Sequence, residues 1–120
     1  MKQNTAIITG ASEGIGAALT KLLIQHEWKV IGLSRNLEKL KLLQNNLCEN
    51  RDSLSIYACD VQDFSKLKSI AKKNNPADLL FLNAGIYTPI DASKNNIENY
   101  KKHMLINYLG IVNSYEAFLP

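Results

Sequence analysis

The chain has few of the residues that build disulfide scaffolds or metal sites. Its 120 residues include two cysteines, three prolines and one tryptophan. Cys48 and Cys59 do not have the spacing of metal ligands, so no metal site is predicted. Sparse cysteine suits a reducing compartment, and we expect a cytoplasmic protein.

Long hydrophobic runs and concentrated positive charge are also missing. Every apolar run is far shorter than the ~20 residues of a membrane-spanning helix, and the polar start at Met1–Asn4 predicts no leader peptide. The net charge is only +3, and the lysines are scattered. The pairs Lys72-Lys73 and Lys101-Lys102 are typical of solvated helix faces. We therefore expect no binding to membranes or nucleic acid.

What the chain does have is a regular alternation of apolar strands and amphipathic helices. With 46% hydrophobic and 21% charged residues, its composition is that of one globular domain. This alternation predicts an α/β fold with a Rossmann-type doubly wound parallel sheet of strand order 3-2-1-4. Strands are predicted over Thr5–Thr9, Lys29–Leu33, Leu54–Ala58 and Leu79–Leu82, and helices behind the first strand and over Leu37–Leu47, Phe64–Lys73 and Ile97–Phe118.

A glycine-rich segment, Thr9–Gly16, joins the first strand to the first helix. Gly10 allows a tight turn, Gly14 lets a ligand approach the backbone, and Gly16 lets the helix pack closely on the sheet. Free amides and the dipole at a helix N-terminus favour a pyrophosphate. Because Ala17 follows Gly16, the segment does not match the P-loop of nucleoside triphosphate sites. The alternative is an ordinary turn.

The end of the second strand predicts which nicotinamide cofactor the loop would bind. A carboxylate there would bind the 2′-hydroxyl of NAD, but this position holds Ser34, followed by Arg35. Arg35 could bind a 2′-phosphate through charge-assisted hydrogen bonds, and Ser12 could add a hydroxyl donor. NADP(H) is therefore predicted over NAD(H). The alternative for Arg35 is a solvated loop residue.

Four segments in register give a resemblance to a known family. Thr9–Gly16, Cys59-Asp60-Val61, Asn83-Ala84-Gly85 and Ile106-Asn107 resemble motifs of the short-chain dehydrogenase/reductase family. The resemblance covers nearly the whole chain. It implies hydride transfer between NADP(H) and a small carbonyl or alcohol substrate. The implied cofactor-binding residues are Gly10, Ser12, Glu13, Gly14, Ile15, Gly16, Ser34, Arg35, Asp60, Val61, Asn83, Ala84 and Gly85.

The same resemblance suggests individual roles. Glu13 counts slightly against NADP(H), because many NADP-preferring members of the family have a basic residue at this position. Asp60 and Val61 would contact the adenine, and the Asn83–Gly85 segment would lie against the nicotinamide ribose. Asn107 would be the catalytic asparagine that opens its helix and orders a water. Each role has an alternative. Asp60 could cap the following helix, although Asp63 is better placed for that, and Asn83–Gly85 could be a plain turn. Asn107 could be a buried residue whose side chain hydrogen-bonds to backbone groups.

The Tyr-x-x-x-Lys pair that the family uses for proton transfer does not occur in this sequence. We therefore expect residues 1–120 to form the NADP(H)-binding part of a reductase without its catalytic half, inactive alone. The alternatives are a non-catalytic nucleotide-binding remnant and one piece of a split enzyme that needs a second chain. The residues four positions after Tyr57, Tyr87, Tyr100, Tyr108 and Tyr115 are Val61, Asp91, Met104, Val112 and Leu119.

The predicted strand order places the apolar strand Leu79–Leu82 at an edge of the sheet. Neither charge nor proline blunts this edge, which is the usual protection against pairing with other chains. We therefore expect the isolated chain to be marginally stable and to self-associate or pair with a complementary chain.

Overall fold

The computed structural model of the chain describes residues 2–74, 76–89 and 91–119. All strand pairs are parallel, and the sheet has the order β3-β2-β1-β4. This confirms the predicted doubly wound sheet. In chain order the elements are β1 (Thr5–Thr9), α1 (Gly14–Gln25), β2 (Lys29–Ser34), α2 (Leu37–Asn46), a 3-10 helix (Cys48–Ser53), β3 (Leu54–Ala58), α3 (Phe64–Asn74), β4 (Leu79–Leu82), α4 (Ile97–His103), a π-helical turn (Met104–Tyr108) and α5 (Leu109–Phe118).

Two apolar layers enclose the sheet because successive strand residues point to opposite faces. Ile8 packs with Leu40 of α2 and Ile24 of α1 on one face. Ile7 packs with Leu67 of α3 and Phe118 of α5 on the other face. Central strands covered on both sides need continuous apolar runs, which explains the composition of β1.

The last helical region differs from the single helix predicted over Ile97–Phe118. A π-helical turn over Met104–Tyr108 separates α4 from α5. Such a turn widens the helix locally and often occurs at functional sites. It includes Asn107, the residue expected to open its helix. Elsewhere the predicted boundaries differ by one residue at the ends of β2, α2 and α3.

Polar side chains fix the starts of the helices next to the sheet. Asn36 caps α2, its Oδ1 accepting a hydrogen bond from Lys39 N at 3.1 Å. Asp63 precedes α3, and its Oδ1 accepts from Lys66 N at 3.1 Å, which confirms Asp63 as the cap of that helix. In the described ranges no helix is long and apolar enough to cross a bilayer.

Gly110 lets α5 approach the segment after β3. A Cβ atom at this position would lie 2.5 Å from Val61 Cγ2, closer than packed carbon atoms can approach. The residues buried at intervals of four, Ile106, Gly110, Ser114 and Phe118, form the inward face of this region. Phe118 packs with Ile7 of β1.

We expect Gly110→Ala to destabilise the fold by about 1–3 kcal/mol, because overpacking forces neighbouring groups apart. Urea unfolding measures this loss. Adding Val61→Ala to Gly110→Ala removes the obstructing methyl groups, so the double variant should show a favourable coupling energy. Strictly additive effects of the two substitutions would contradict this account of the contact.

Candidate functional site

The loops that follow the four strands meet at the carboxyl edge of the sheet and surround a cleft of about 480 Å³. This is where ligands bind in open parallel sheets. Most of the residues predicted from the sequence line it, and Gly16 and Asn107 are the two that do not. The predicted lining residues are Gly10, Ser12, Glu13, Gly14, Ile15, Ser34, Arg35, Asp60, Val61, Asn83, Ala84 and Gly85.

The glycine loop has the backbone geometry that its sequence predicts. Gly10 and Gly14 have φ angles of +68° and +60°, in the left-handed region that favours glycine. A Cβ atom on Gly14 would meet no atom of the described residues within 4 Å, so Gly14 faces open space. The Glu13 side chain does not cap α1. The first turn of α1 therefore presents its amides towards the cleft.

Gly16, in the first turn of α1, packs closely against the Gly10 turn and the side chain of Asn83. A Cβ atom there would collide with the carbonyl oxygen of Gly10 and lie 2.9 Å from Asn83 Nδ2. From the sequence, Gly16 was predicted to let the helix pack closely on the sheet. The structure shows that the nearest obstacle is the Gly10 turn itself.

Thr9 joins the first loop to the loop after β4. Its side chain is buried, and its Oγ1 accepts hydrogen bonds from Asn83 N and Ala84 N, both at 3.0 Å. Asn83 Nδ2 in turn donates to Gly10 O at 3.2 Å. These three bonds hold the Asn83–Gly85 segment against the glycine loop. The sequence predicted Thr9 as the end of β1 and the start of the glycine-rich segment, but it did not predict this contact with the loop after β4.

Asn107 holds the next residues of the same loop. Its Oδ1 accepts a hydrogen bond from Ile86 N and its Nδ2 donates to Ile86 O, both at 2.7 Å. A Cβ atom on Gly85 would lie 3.1 Å from Asn107 Oδ1, so glycine suits this contact. The side-chain amide is thus paired with backbone, and its role towards a catalytic water stays a prediction.

The end of β2 presents hydroxyl and guanidinium groups. Ser34 Oγ lies 2.8 Å from Ser12 Oγ and accepts a hydrogen bond from Asn36 N at 3.1 Å. Arg35 is exposed at the cleft and makes no ion pair within the described part of the chain. Its guanidinium is therefore available to an anionic ligand.

Lys39 is a lining residue that the sequence reasoning missed. It lies in the first turn of α2, and its Nζ is 2.6 Å from Glu13 Oε2. The hydrogen bond and the positive charge of Lys39 hold the pKa of Glu13 below its usual value. A lysine four residues after Arg35, in the first turn of a helix at the carboxyl edge, was the available signal. Other lining residues not predicted are Leu33, Asn36, Cys59, Ile86 and Ile106.

The end of β3 forms the remaining wall. Asp60 Oδ1 accepts a hydrogen bond from Gln62 N at 2.9 Å, which fixes the turn out of the strand. Val61 is buried, and its carbonyl accepts from Asn113 Nδ2 at 3.0 Å. Burial raises the pKa of Cys59 to about 11, so its thiol is protonated at neutral pH.

Comparison with known proteins assigns the family. The family model described as short chain dehydrogenase matches residues 4–120. This chain belongs to the short chain dehydrogenase family. The FabG 3-oxoacyl-acyl-carrier-protein reductase of Rickettsia prowazekii is 36% identical over 103 residues, which cover 86% of this chain and 42% of the relative.

Solved structures share the fold of this chain. ElxO with NADP bound superposes with a TM-score of 0.86 at 25% identity, over 97% of this chain and 49% of ElxO. A short chain dehydrogenase of Mycobacterium paratuberculosis bound to NAD gives 0.88 at 21% identity, over 98% and 49% of the two chains. The chain spans only part of the length of its relatives. The match covers 38% of an oxidoreductase of Mycobacterium tuberculosis, 42% of the Rickettsia reductase and 50% of an oxidoreductase of Listeria monocytogenes.

We expect Thr9→Val to destabilise the fold by about 1–3 kcal/mol, because two backbone amides lose their acceptor without a change in side-chain volume. Faster hydrogen exchange at Asn83 and Ala84 should accompany the loss. Thr20→Val is the matched control, since Thr20 is equally buried but its hydroxyl only donates to Gly16 O. Unchanged exchange at both amides in Thr9→Val would contradict the assigned bonds.

We expect Lys39→Gln to return the pKa of Glu13 towards its ordinary value of 4.5, because both causes that lower this pKa come from Lys39. NMR titration of the carboxyl carbon measures it, with Lys41→Gln as control. Because the pKa is lower in the folded chain, the pair stabilises the fold above pH 4.5, and this contribution is lost as the pH falls through the folded pKa. A pKa of Glu13 that is the same in the parent and in Lys39→Gln would argue against the ion pair in solution.

Proposed function

We propose that the cleft binds NADP(H) and that the protein carrying this chain is an oxidoreductase acting on a carbonyl or alcohol. On this proposal residues 1–120 form its cofactor-binding domain. The single observation that carries the proposal is the uncapped N-terminus of α1, which opens on the cleft at Gly14. Family membership and the NADP bound to ElxO support it.

The cofactor diphosphate would bind at the loop from Gly10 to Gly16. Gly14 has a positive φ angle and open space where a side chain would stand. A diphosphate could therefore approach the amides of the first turn, where unpaired N–H groups and the helix dipole favour negative charge. Ser12 and Ile15 line the same part of the cleft.

The preference for NADP(H) would come from the end of β2. Ser34 occupies the position where a carboxylate would repel a 2′-phosphate, and it is already tied to Ser12. Arg35 lies beside it, exposed at the cleft. The planar guanidinium can donate two parallel hydrogen bonds to a phosphate, which a neutral ribose hydroxyl cannot match.

The other walls would hold the two rings of the cofactor. Asp60 and Val61 would contact the adenine at the end of β3. The Asn83–Gly85 segment would contact the nicotinamide ribose, since Thr9 holds this backbone in place. Asn107 would act as a positioning residue because it ties Ile86 of the same loop to the π-helical turn.

The reaction would be a hydride transfer, as the relatives named oxidoreductase and reductase suggest. NADP(H) supplies the hydride donor or acceptor when bound. The chain spans about half the length of these relatives or less, so the activity is proposed for the whole protein. The contribution of residues 1–120 would be to bind and orient the cofactor.

We expect Arg35→Ala to weaken NADPH binding about tenfold, the size of one charge-assisted hydrogen bond, and to leave NADH binding unchanged. Isothermal titration calorimetry with both cofactors measures the two affinities. Arg51→Ala removes an exposed arginine of the 3-10 helix and serves as the control for net charge. Equal affinities of the parent protein for NADH and NADPH would refute the preference.

A further inference from the structure

Lys39 and Glu13 form an ion pair across the rim of the cleft, between the first turn of α2 and the loop that follows β1. Lys39 Nζ lies 2.6 Å from Glu13 Oε2, and both side chains line the cleft. The backbone of Lys39 is fixed by the Asn36 cap of α2. The contact therefore joins the capped start of α2 to the N-cap residue of α1.

This ion pair can be exchanged for another one at low cost. The Lys39 and Glu13 side chains remain 47% and 71% exposed, and ion pairs in such positions contribute little to stability. Lysine also carries its charge on a flexible four-carbon stem, so the ammonium can turn to a new anion while the helix stays in place.

The surroundings of the pair indicate which anion that would be. Arg35 lines the same cleft without an ion pair in the described residues. The hydroxyl groups of Ser12, in the loop after β1, and Ser34, at the end of β2, lie 2.8 Å apart beside the pair. Two cations and two hydroxyl groups are the donors that a phosphate needs, and the Glu13 carboxylate is the group in this set that opposes it.

We propose that Lys39 leaves Glu13 to bind the 2′-phosphate of NADP(H), and that the Glu13 carboxylate, as an internal competitor for Lys39, lowers the affinity of the cleft for this phosphate. The inference rests on the proposed function, since it assigns two further residues to the same cofactor site. Lys39 is a phosphate ligand in this proposal, and Glu13 sets how strongly the cleft distinguishes the phosphorylated cofactor from the unphosphorylated one.

The test compares two fragments that differ only in the 2′-phosphate, adenosine 2′,5′-bisphosphate and adenosine 5′-monophosphate. Calorimetry gives the affinity of each for the parent, Lys39→Gln, Glu13→Gln and the double variant. Lys41→Gln is the matched control, because Lys41 lies on the same helix outside the cleft and pairs with Glu38 at 3.9 Å.

We expect Lys39→Gln to lower the affinity for the bisphosphate roughly fivefold and Glu13→Gln to raise it about threefold. The affinity for the monophosphate should not change in either variant. In the Lys39→Gln background Glu13→Gln should raise the affinity by less, because the carboxylate no longer competes with the phosphate for Lys39. Lys41→Gln should bind both fragments like the parent.

Each other outcome overturns a definite statement. If Lys39→Gln binds the bisphosphate like Lys41→Gln, Lys39 is not a phosphate ligand and this inference fails, while the proposed function stands. If the effects of Lys39→Gln and Glu13→Gln are additive, Glu13 acts by direct repulsion and the competition is refuted. If the parent binds neither fragment, the proposed cofactor site itself is wrong.

Discussion

The close contact between the Gly10 turn and the Asn83–Ala84 backbone is the constraint on which the cleft depends. A Cβ atom on Gly10 would lie 3.0 Å from Ala84 N and Cα, so only glycine leaves room for the loop that follows β4. Thr9 Oγ1 then accepts two amide hydrogen bonds from that loop. These amides are partly buried and are paired with the Thr9 hydroxyl, and this pairing holds both loops around one cleft.

A second set of contacts extends this junction to the last helical region. Asn107 binds both backbone groups of Ile86 from within the π-helical turn. Gly110, just beyond that turn, brings α5 against Val61 at the end of β3. The walls of the cleft formed by the loops after β3 and β4 are thus held by one irregular helical region. A local departure from ideal helix geometry is often retained where it positions such a site.

Charge is distributed unevenly around the cleft. Arg35 and Lys39 lie at the end of β2 and the start of α2, with Glu13 facing Lys39, and Asp60 lies at the end of β3. An anionic ligand would therefore be attracted to the side of the cleft formed by Arg35 and Lys39, where the exposed Glu13 carboxylate opposes it. Exposed pairs of this kind are weak and screened by salt, so they adjust affinity without controlling the fold.

The sequence by itself determined the strand order, the four strands to within one residue, and most of the residues that line the cleft, because apolar periodicity and glycine turns are local signals. Only the tertiary structure decided that the last helical region contains a π-helical turn, that Gly16 lies against the Gly10 carbonyl, and that Lys39 pairs with Glu13. These features join residues distant in sequence or depend on side-chain contacts between elements. A helix pattern shows which face is apolar, but it does not show which loop the polar side chains of its first turn will meet.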